Sequence, residues 1–341
     1  GQDALGVNTT GGQNTALGLS ALAGNTTATN NVAVGYIALL TNTTGTANNA
    51  VGNESLRLNT TGDSNTALGH AALNANTTAD NNTAVGRGAM QANTTGSENT
   101  AVGQGALDAN TTAANNTAVG KSALGATTTG ANNTGVGFNV LSANLTGTLN
   151  TAMGRSALGN DTKGNNSTAI GYNTLNAQNF TSATDTFNTA VGFNAGAAVT
   201  TGANNTFVGG LAGDANTTGA SNTAVGQGSL GSNTTGYTNT AIGMNAGIDL
   251  TTGHNNTCLG ASAGNDSTTG VQNVFIGHNA RPSAAGDNYS IVISSDQDLG
   301  KGSSTAFIAP NGGGVYQDNN SASWSTTSDR RIKKNIEDCS T

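Results

Sequence analysis

Few residues of this sequence carry side chains that commonly do chemistry. The 341 residues include three histidines and two cysteines, and charged residues make up 9% of the chain. His70, His254 and His278 lie far apart, and no pair of them has the spacing of metal ligands. The Gly-rich sequence contains no G-x-x-x-x-G-K-[ST] phosphate loop. We therefore expect no metal site and no cofactor.

The carboxylates and thiols give equally weak signals. A polysaccharide-degrading enzyme needs paired carboxylates, and the nearest candidates, Asp185 and Asp214, have no clear partner in the sequence. Cys258 stands where the repeat described below usually has Ala, so we expect a small buried hydrophobe there. Cys258 and Cys339 are far apart in the sequence and supply no disulfide framework. These signals favour a structural or binding protein over an enzyme.

The composition excludes further classes of protein. A net charge of -7 and a sequence pI near 4.7 leave no basic face that could follow a phosphate backbone, so we expect no nucleic-acid partner. The sequence has no run of about 18 apolar residues, so we expect no membrane insertion. Ala supplies much of the 35% hydrophobic fraction, and there are 50 glycines. Such a chain cannot fill a thick core, and its fold should be thin.

The elements that must position these residues follow from an internal repeat. A Gly closes a short apolar triplet at a strict interval of seventeen from Gly18 to Gly171, and after one interval that is longer by four the period resumes at Gly192. A typical unit reads N-T-A-V-G-x-x-A-L-x-x-N-T-T-G-x-x. Such a unit is too short for a helix pair, whereas N-T-A-V suits a short strand and N-T-T-G a corner. Each unit is predicted to form one coil, and the extra residues of the longer interval should bulge from a corner.

A coil of this size cannot bury its apolar side alone, so neighbouring coils must stack. We therefore predict an all-β protein, a parallel β-solenoid or β-roll of 17-residue coils. Asn and Thr at equivalent corners should form hydrogen-bonded ladders along the stack. The repeat predicts a solenoid shaft over residues 1–280. Arg281-Pro282 interrupts the pattern, which predicts a β-rich connector or cap over residues 281–327.

Strand alternation separates the side chains of each unit into two faces. In the triplet that ends at Val102, Ala101 points opposite to its two neighbours. We interpret Val102 and Leu107, with their counterparts Val119 and Leu124, as the filling of the coil. The small Ala101 then lies on a thin face that another chain can approach closely, which favours an oligomer.

The N-T-A-V-G units resemble the S-V-A-I-G-type repeats in the head domains of trimeric autotransporter adhesins, which form parallel β-rolls with three chains side by side. The chain resembles more closely the bacteriophage tail fibres in which N-T-A-V-G and N-T-T-G arrays lead into a C-terminal intramolecular chaperone of the endosialidase type. The segment S-D-R-R-I-K-K-N-I, residues 328–336, looks like the start of that domain. By this resemblance residues 328–341 are the first part of a truncated chaperone domain.

The tail-fibre resemblance also implies a self-cleavage reaction. In that family a Ser–Lys pair at this spacing cuts the chain directly before the Asp and releases the chaperone after trimerisation. Carried over, Ser328 is the nucleophile, Lys333 is its activating base, and the cut falls between Ser328 and Asp329. An uncharged Lys held near a Ser hydroxyl can take its proton. We expect no other enzymatic activity, and this one only when the complete domain is present.

These observations lead to one main functional expectation and two alternatives. The chain is expected to be the structural shaft of a homotrimeric phage tail fibre, extracellular and part of the virion. Its partners would be two further copies, other tail or fibre proteins, and a host cell-surface receptor, with a glycan as one candidate class. One alternative is a trimeric adhesin on the bacterial cell surface. The other is an ice-binding β-solenoid, in which the Thr-rich corners would order water.

Overall fold

The computed structural model of the protein describes residues 1–310, 314–318 and 321–326. These residues form 22 strands, and none of them is helical. The chain divides into two compact units, Gly1–Asn188 and Thr189–Thr341. Each unit contains a parallel β-solenoid of 17-residue coils, which confirms the predicted fold class.

In the first unit the strands of the main ladder have three residues, and each pairs in parallel with the strand of the next coil. Two two-residue strands, Gly164–Asn165 and Thr184–Asp185, form a separate parallel pair. Thr100 aligns with Thr117 and Val102 with Val119, so equivalent residues of successive coils share a register. The strands are β1 (Thr15–Leu17), β2 (Val32–Val34), β3 (Asn49–Val51), β4 (Thr66–Leu68), β5 (Thr83–Val85), β6 (Thr100–Val102), β7 (Thr117–Val119), β8 (Thr134–Val136), β9 (Thr151–Met153), β10 (Gly164–Asn165), β11 (Thr168–Ile170) and β12 (Thr184–Asp185).

The second unit repeats this pattern and ends differently. Its strands are β13 (Thr189–Val191), β14 (Thr206–Val208), β15 (Thr223–Val225), β16 (Thr240–Ile242), β17 (Thr257–Leu259), β18 (Val274–Ile276), β19 (Ile291–Ser294), β20 (Ala306–Ala309), β21 (Val315–Gln317) and β22 (Trp324–Thr326). Parallel pairing runs from β13 to β20, so it continues beyond Arg281. Strands β20, β21 and β22 then pair antiparallel.

The middle residue of each solenoid strand faces the core, so the predicted assignment of the strand faces was wrong. Ala101 is fully buried, whereas Val102 is 37% exposed and Val119 is partly exposed. The prediction that Leu107 and Leu124 fill the coil is confirmed, because both are fully buried. In the first unit each coil from Leu22 to Leu175 already places a Leu, or Met90, in the interior, and the space left beside it fits Ala. In the second unit, where Gly213 and Gly264 take the Leu position, Phe207 and Phe275 fill the middle strand position instead.

The core leucines reach the interior through a left-handed backbone conformation. Leu107 has a φ of 50°, in a region that costs an L-residue about 1–2 kcal/mol. Its N–H donates to the carbonyl oxygen of Ala123 in the next coil at 3.0 Å. Burial of the Leu side chain contributes about 1.5–3 kcal/mol, which offsets the cost of the backbone. The same conformation, with φ between 47° and 53°, recurs at Leu22, Leu39, Leu56, Leu73, Met90, Leu124, Leu141, Leu158 and Leu175.

Two files of buried asparagines hold successive coils in register. In the first file, which we call the strand ladder, an Asn precedes most of the solenoid strands. The backbone N–H of Asn99 donates to Oδ1 of Asn82 at 3.0 Å, and Nδ2 of Asn99 donates to the carbonyl oxygen of Ala113 at 2.9 Å. Asn116 repeats the pattern on Asn99 at 2.9 Å. The amide oxygens therefore accept bonds from the next coil and do not remain unpaired in the core.

The second file, the corner ladder, consists of the Asn of each N-T-T-G or N-T-T-A corner. Nδ2 of Asn93 donates to Oδ1 of Asn76 and to the carbonyl oxygen of Gly96, both at 3.0 Å. On the outer side of the corner, Oγ1 of Thr94 donates to the carbonyl oxygen of Thr111 at 2.9 Å. The predicted ladders of Asn and Thr are confirmed, with the Asn amides inside and the Thr hydroxyls outside.

The glycine that closes each strand lies against the glycine of the next coil. Gly103 has a φ of +140°, and a Cβ at that position would lie 2.4 Å from the carbonyl oxygen of Gly120. Both the conformation and the space exclude a side chain. This contact explains why a Gly marks the period of the repeat.

The 21-residue interval is anchored by buried polar groups at a corner. Gln178 occupies the corner position and is fully buried. Its Nε2 donates to Oδ2 of Asp161 at 2.6 Å, and its Oε1 accepts from Nδ2 of Asn188 at 2.9 Å. The exposed residues 181–183 follow, so the extra residues leave the stack at the corner, as predicted.

Candidate functional surfaces

The outward face of the strands is the most regular exposed surface of each unit. The third residue of every strand on this face is aliphatic or Met. In the first unit these residues form an apolar ridge made of Leu17, Val34, Val51, Leu68, Val85, Val102, Val119, Val136, Met153 and Ile170. The exposed fraction reaches 64% at Leu17 and 48% at Leu68. The second unit has its own apolar ridge, made of Val191, Val208, Val225, Ile242, Leu259, Ile276, Ile293 and Ile308.

Both outward positions of these strands lack charge. The first position is Thr in most coils, as in Thr100 and Thr117, and neither position holds a charged residue in β1–β9, β11 or β13–β20. Proteins usually place charged residues on exposed sheet surfaces that stay in water. An uncharged face that repeats in coil after coil is therefore typical of a contact surface.

The sequence analysis saw the alternation of this strand but placed the contact surface on the Ala101 side. A signal in the sequence could have separated the two faces. The corner and turn positions of the repeat carry charged residues such as Asp63, Arg87 and Lys121, whereas the two outward strand positions never do. The absence of charge from this face throughout the array makes it the candidate contact surface, whereas Ala101 belongs to the core.

The three histidines lie in separate environments. The ring of His254 stacks on that of Tyr237, with centroids 4.4 Å apart. Nδ1 of His278 lies 3.2 Å from Oδ1 of Asp296, and His70 lines a groove between coils. Among the described residues, no group of three or more His, Cys, Asp or Glu side chains could hold a metal ion.

The remaining chemically active candidates also have structural surroundings. Asp185 accepts hydrogen bonds from the side-chain amides of Asn165 and Asn166, at 3.2 and 2.9 Å. Asp214 belongs to the other unit, and burial raises the pKa of its carboxyl. Cys258 lies in the core as expected, and burial raises the pKa of its thiol to about 12. A protonated buried thiol is a poor nucleophile.

The predicted cleavage residues, Ser328 and Lys333, lie outside the described residues, as does Asp329. The last described strand, β22, ends at Thr326. The prediction of self-cleavage by Ser328 and Lys333 therefore rests on the sequence alone.

Comparisons with known proteins return no match. No protein family, no curated protein and no solved structure matches the sequence. The part of the chain that the structure describes contains no helix long and apolar enough to cross a membrane. The function must therefore be argued from the surfaces of the solenoid.

Proposed function

We propose that this chain is the structural shaft of a homotrimeric phage tail fibre that takes part in host-cell attachment. The observation that carries the proposal is the apolar ridge, with its uncharged strand face. In the proposed assembly, the apolar ridge of each unit packs against the same ridge of two further copies. The number three comes from the resemblance to trimeric tail fibres, whereas the need for a covering partner comes from the ridge.

Another copy of this chain is the partner that suits the ridge best. The ridge repeats once in every coil, and strands in a sheet are spaced by about 4.7–4.9 Å. A second copy in parallel register presents an apolar side chain at every level, whereas an unrelated partner would need the same repeat. Full burial of an aliphatic side chain is worth about 1.5–3 kcal/mol, so a ridge residue that is already half-buried contributes roughly 1 kcal/mol. Summed over the coils, this contribution is comparable with the cost of association, about 4–15 kcal/mol.

The role in a virion rests on the resemblance of residues 328–336 to the start of an intramolecular chaperone. In this proposal the chaperone assists folding and trimerisation, and the cut between Ser328 and Asp329 then releases it. An unfolded shaft would afterwards lack its chaperone. The persistence of the fibre would therefore be a matter of kinetic stability.

Sedimentation equilibrium tests the assembly. We expect the wild-type mass to be three times that of one chain. The triple variant Val85→Asp, Val102→Asp, Val119→Asp should sediment as a monomer while retaining its β-sheet circular dichroism. A matched control, with Thr78→Asp, Thr95→Asp and Thr112→Asp at exposed corners, should remain trimeric. A wild-type monomer would contradict the proposed trimer.

Immunogold electron microscopy tests the location. Antibodies against the solenoid should label the tails of phage particles. Labelling of the bacterial envelope in uninfected cells would instead support the alternative of a trimeric surface adhesin.

One observation favours ice binding as a second candidate function. The strand face carries an uninterrupted file of outward Thr residues from Thr66 to Thr168, beside the apolar ridge. Regularly spaced hydroxyl and methyl groups on a flat face can order water. The corner Thr hydroxyls, which prompted this alternative, donate to backbone oxygens of the next coil instead. An ice-binding face must be open, so this function predicts a monomer with thermal hysteresis.

A further inference from the structure

A polar groove runs between coils of the first unit. It encloses about 280 Å³, close to the lower end of the range for small-molecule sites. Its floor is made by two glycines, Gly88 and Gly105, in successive coils. One wall is made by the residues that come directly after the repeating Gly in three successive coils: His70, Arg87 and Gln104. The other wall is made by Gln91 and Asp108.

The backbone conformation at the floor of the groove does not require glycine. Gly88 and Gly105 have φ values of +65° and +62°. Other coils of this unit place a side chain at the same position with a similar φ: Ser20, Ile37, Glu54, Ala71, Ser122, Ser156, Asn139 and Asn173. A Cβ on Gly105 would meet no atom closer than Ser122 Oγ at 3.9 Å. The fold therefore tolerates a side chain here, and the two glycines leave an open floor two coils wide.

The polar groups in the walls are not used by the fold. Within the described part of the chain, the side chains of His70, Arg87, Gln91, Gln104 and Asp108 make no hydrogen bond or ion pair with the protein. All five residues are exposed, so a ligand can reach them from solvent. Partial burial raises the pKa of the Asp108 carboxyl.

Arg155 provides an internal comparison, because it occupies the position of Arg87 four coils later. Its guanidinium lies over the rings of Phe138 and Tyr172, at 5.6 and 5.9 Å from their centroids. Arg155 is thus held by neighbours of its own chain, whereas Arg87 is free to bind a ligand.

We infer that this groove binds one sugar ring of a glycan. Adjacent hydroxyls of a sugar both donate and accept hydrogen bonds. Arg87 can donate, Asp108 can accept, and the Gln91 and Gln104 amides can do both. The flat glycine floor lets a ring lie across two coils. This inference rests on the proposed attachment function, because it assigns the receptor class and its place on the shaft.

The lining argues against other ligands. A phosphate would gain the Arg87 guanidinium but would meet the carboxylate of Asp108. An apolar ligand would find no aliphatic, Phe, Tyr or Trp side chain in the walls. A cation would find one carboxylate, which is too few for a dedicated site. Sugar hydroxyls can bind hydrogen-bond donors and acceptors at the same time, and the groove contains both.

Saturation-transfer NMR with methyl glycosides of glucose, galactose, mannose and N-acetylglucosamine tests the site, and a bacterial glycan array tests longer chains. We expect at least one sugar to bind the wild-type protein. Binding should weaken at least tenfold in Gly88→Asn/Gly105→Asn, which fills the floor with a residue that Asn139 and Asn173 already place there. It should also weaken tenfold in Arg87→Ala/Asp108→Ala. The control Ser20→Asn, at the same position in a distant coil, should bind like the wild type.

Two binding results would overturn the inference: neither a free glycoside nor an array glycan binds, or binding is unchanged in both groove variants. A cell-binding assay separates this failure from failure of the proposed function. If wild type and groove variants adsorb equally to host cells, attachment stands and the groove is not its site. If wild-type trimers adsorb to no bacterial surface, the attachment function itself fails. If a free glycoside weakens adsorption of the wild type to host cells, a single sugar ring suffices for binding. If only oligosaccharides from the array weaken it, the site binds a polymeric glycan.

Discussion

Asn110 donates from Nδ2 to Oδ1 of Asn93 across 2.7 Å, but its own buried Oδ1 accepts no hydrogen bond from the described residues. The corner ladder breaks here because the next coil has Thr127 at the Asn position. The same break follows Asn144 and Asn233, whose counterparts in the next coil are also not asparagine. A buried oxygen without a partner costs about 1–3 kcal/mol, so these coils are weak points of the stack.

Repairing the break should stabilise the first unit. In Thr127→Asn, the new amide can donate to Oδ1 of Asn110 and accept from Nδ2 of Asn144, which now reaches Thr127 Oγ1 at 3.4 Å. We expect the free energy of unfolding in urea to rise by about 1 kcal/mol. The control Thr129→Asn changes an exposed corner residue and should leave it unchanged. A lower urea midpoint for Thr127→Asn would show that the ladder does not have this role.

Substitutions on the two sides of one coil should separate core from surface. Leu107→Asp buries a carboxylate without a partner, which costs several kcal/mol. We expect amides of residues 99–115 to exchange rapidly with deuterium in this variant, as followed by mass spectrometry. Val102→Asp and Thr112→Asp place the charge outside the coil and should retain slow exchange. Equally rapid exchange in Val102→Asp and Leu107→Asp would mean that Val102 also faces the core.

The glycine contact between coils should not tolerate a single methyl group. Gly103→Ala places Cβ against the carbonyl oxygen of Gly120 and forces a φ of +140° on alanine. We expect a loss of about 2 kcal/mol or more in urea unfolding. Gly125→Ala is the matched control, because its Cβ would meet Ser122 O at 3.4 Å, an ordinary contact. The idea fails if the two variants unfold at the same urea concentration.

The thiol of Cys258 should report the integrity of the second unit. In a Cys339→Ser background, we expect Cys258 to resist thiol reagents at pH 8 and to react once the protein is denatured. Folding raises the pKa of this thiol from 9.0 to about 12, so the folded state favours the protonated form. The contribution of this thiol to the free energy of unfolding is fully present below pH 9 and is lost as the pH rises from 9 to 12. The comparison with Cys258→Ala isolates that fall, and rapid labelling of the native protein at pH 8 would argue against a closed core.

The proposed self-cleavage is testable in a longer chain that carries the complete chaperone domain. Intact-mass spectrometry should find the wild type cut between Ser328 and Asp329. Ser328→Ala and Lys333→Ala should each leave the chaperone attached while trimers still form, because the shaft contacts are untouched. Ser325→Ala is a control that should be cut normally. Efficient cleavage of Ser328→Ala would refute the assignment.

The repeat alone determined the fold class. Evenly spaced glycines from Gly18 to Gly171 predict one coil per unit, and a unit this short must stack on its neighbours to bury its apolar residues. The corner ladders followed from the same period, since side chains at equal positions meet in a parallel register. The fully buried Leu107 was also predictable, because a large apolar residue recurs there in a chain that has few of them.

The tertiary structure decided which strand face is inside. Alternation places Ala101 and Val102 on opposite sides but does not say which side is the core. The narrow interior decides, because Leu107 enters it through a left-handed turn and leaves room for Ala101 alone. The groove over Gly88 and Gly105 has the same origin. Its walls are side chains from different coils, and only the stacking of those coils brings them together.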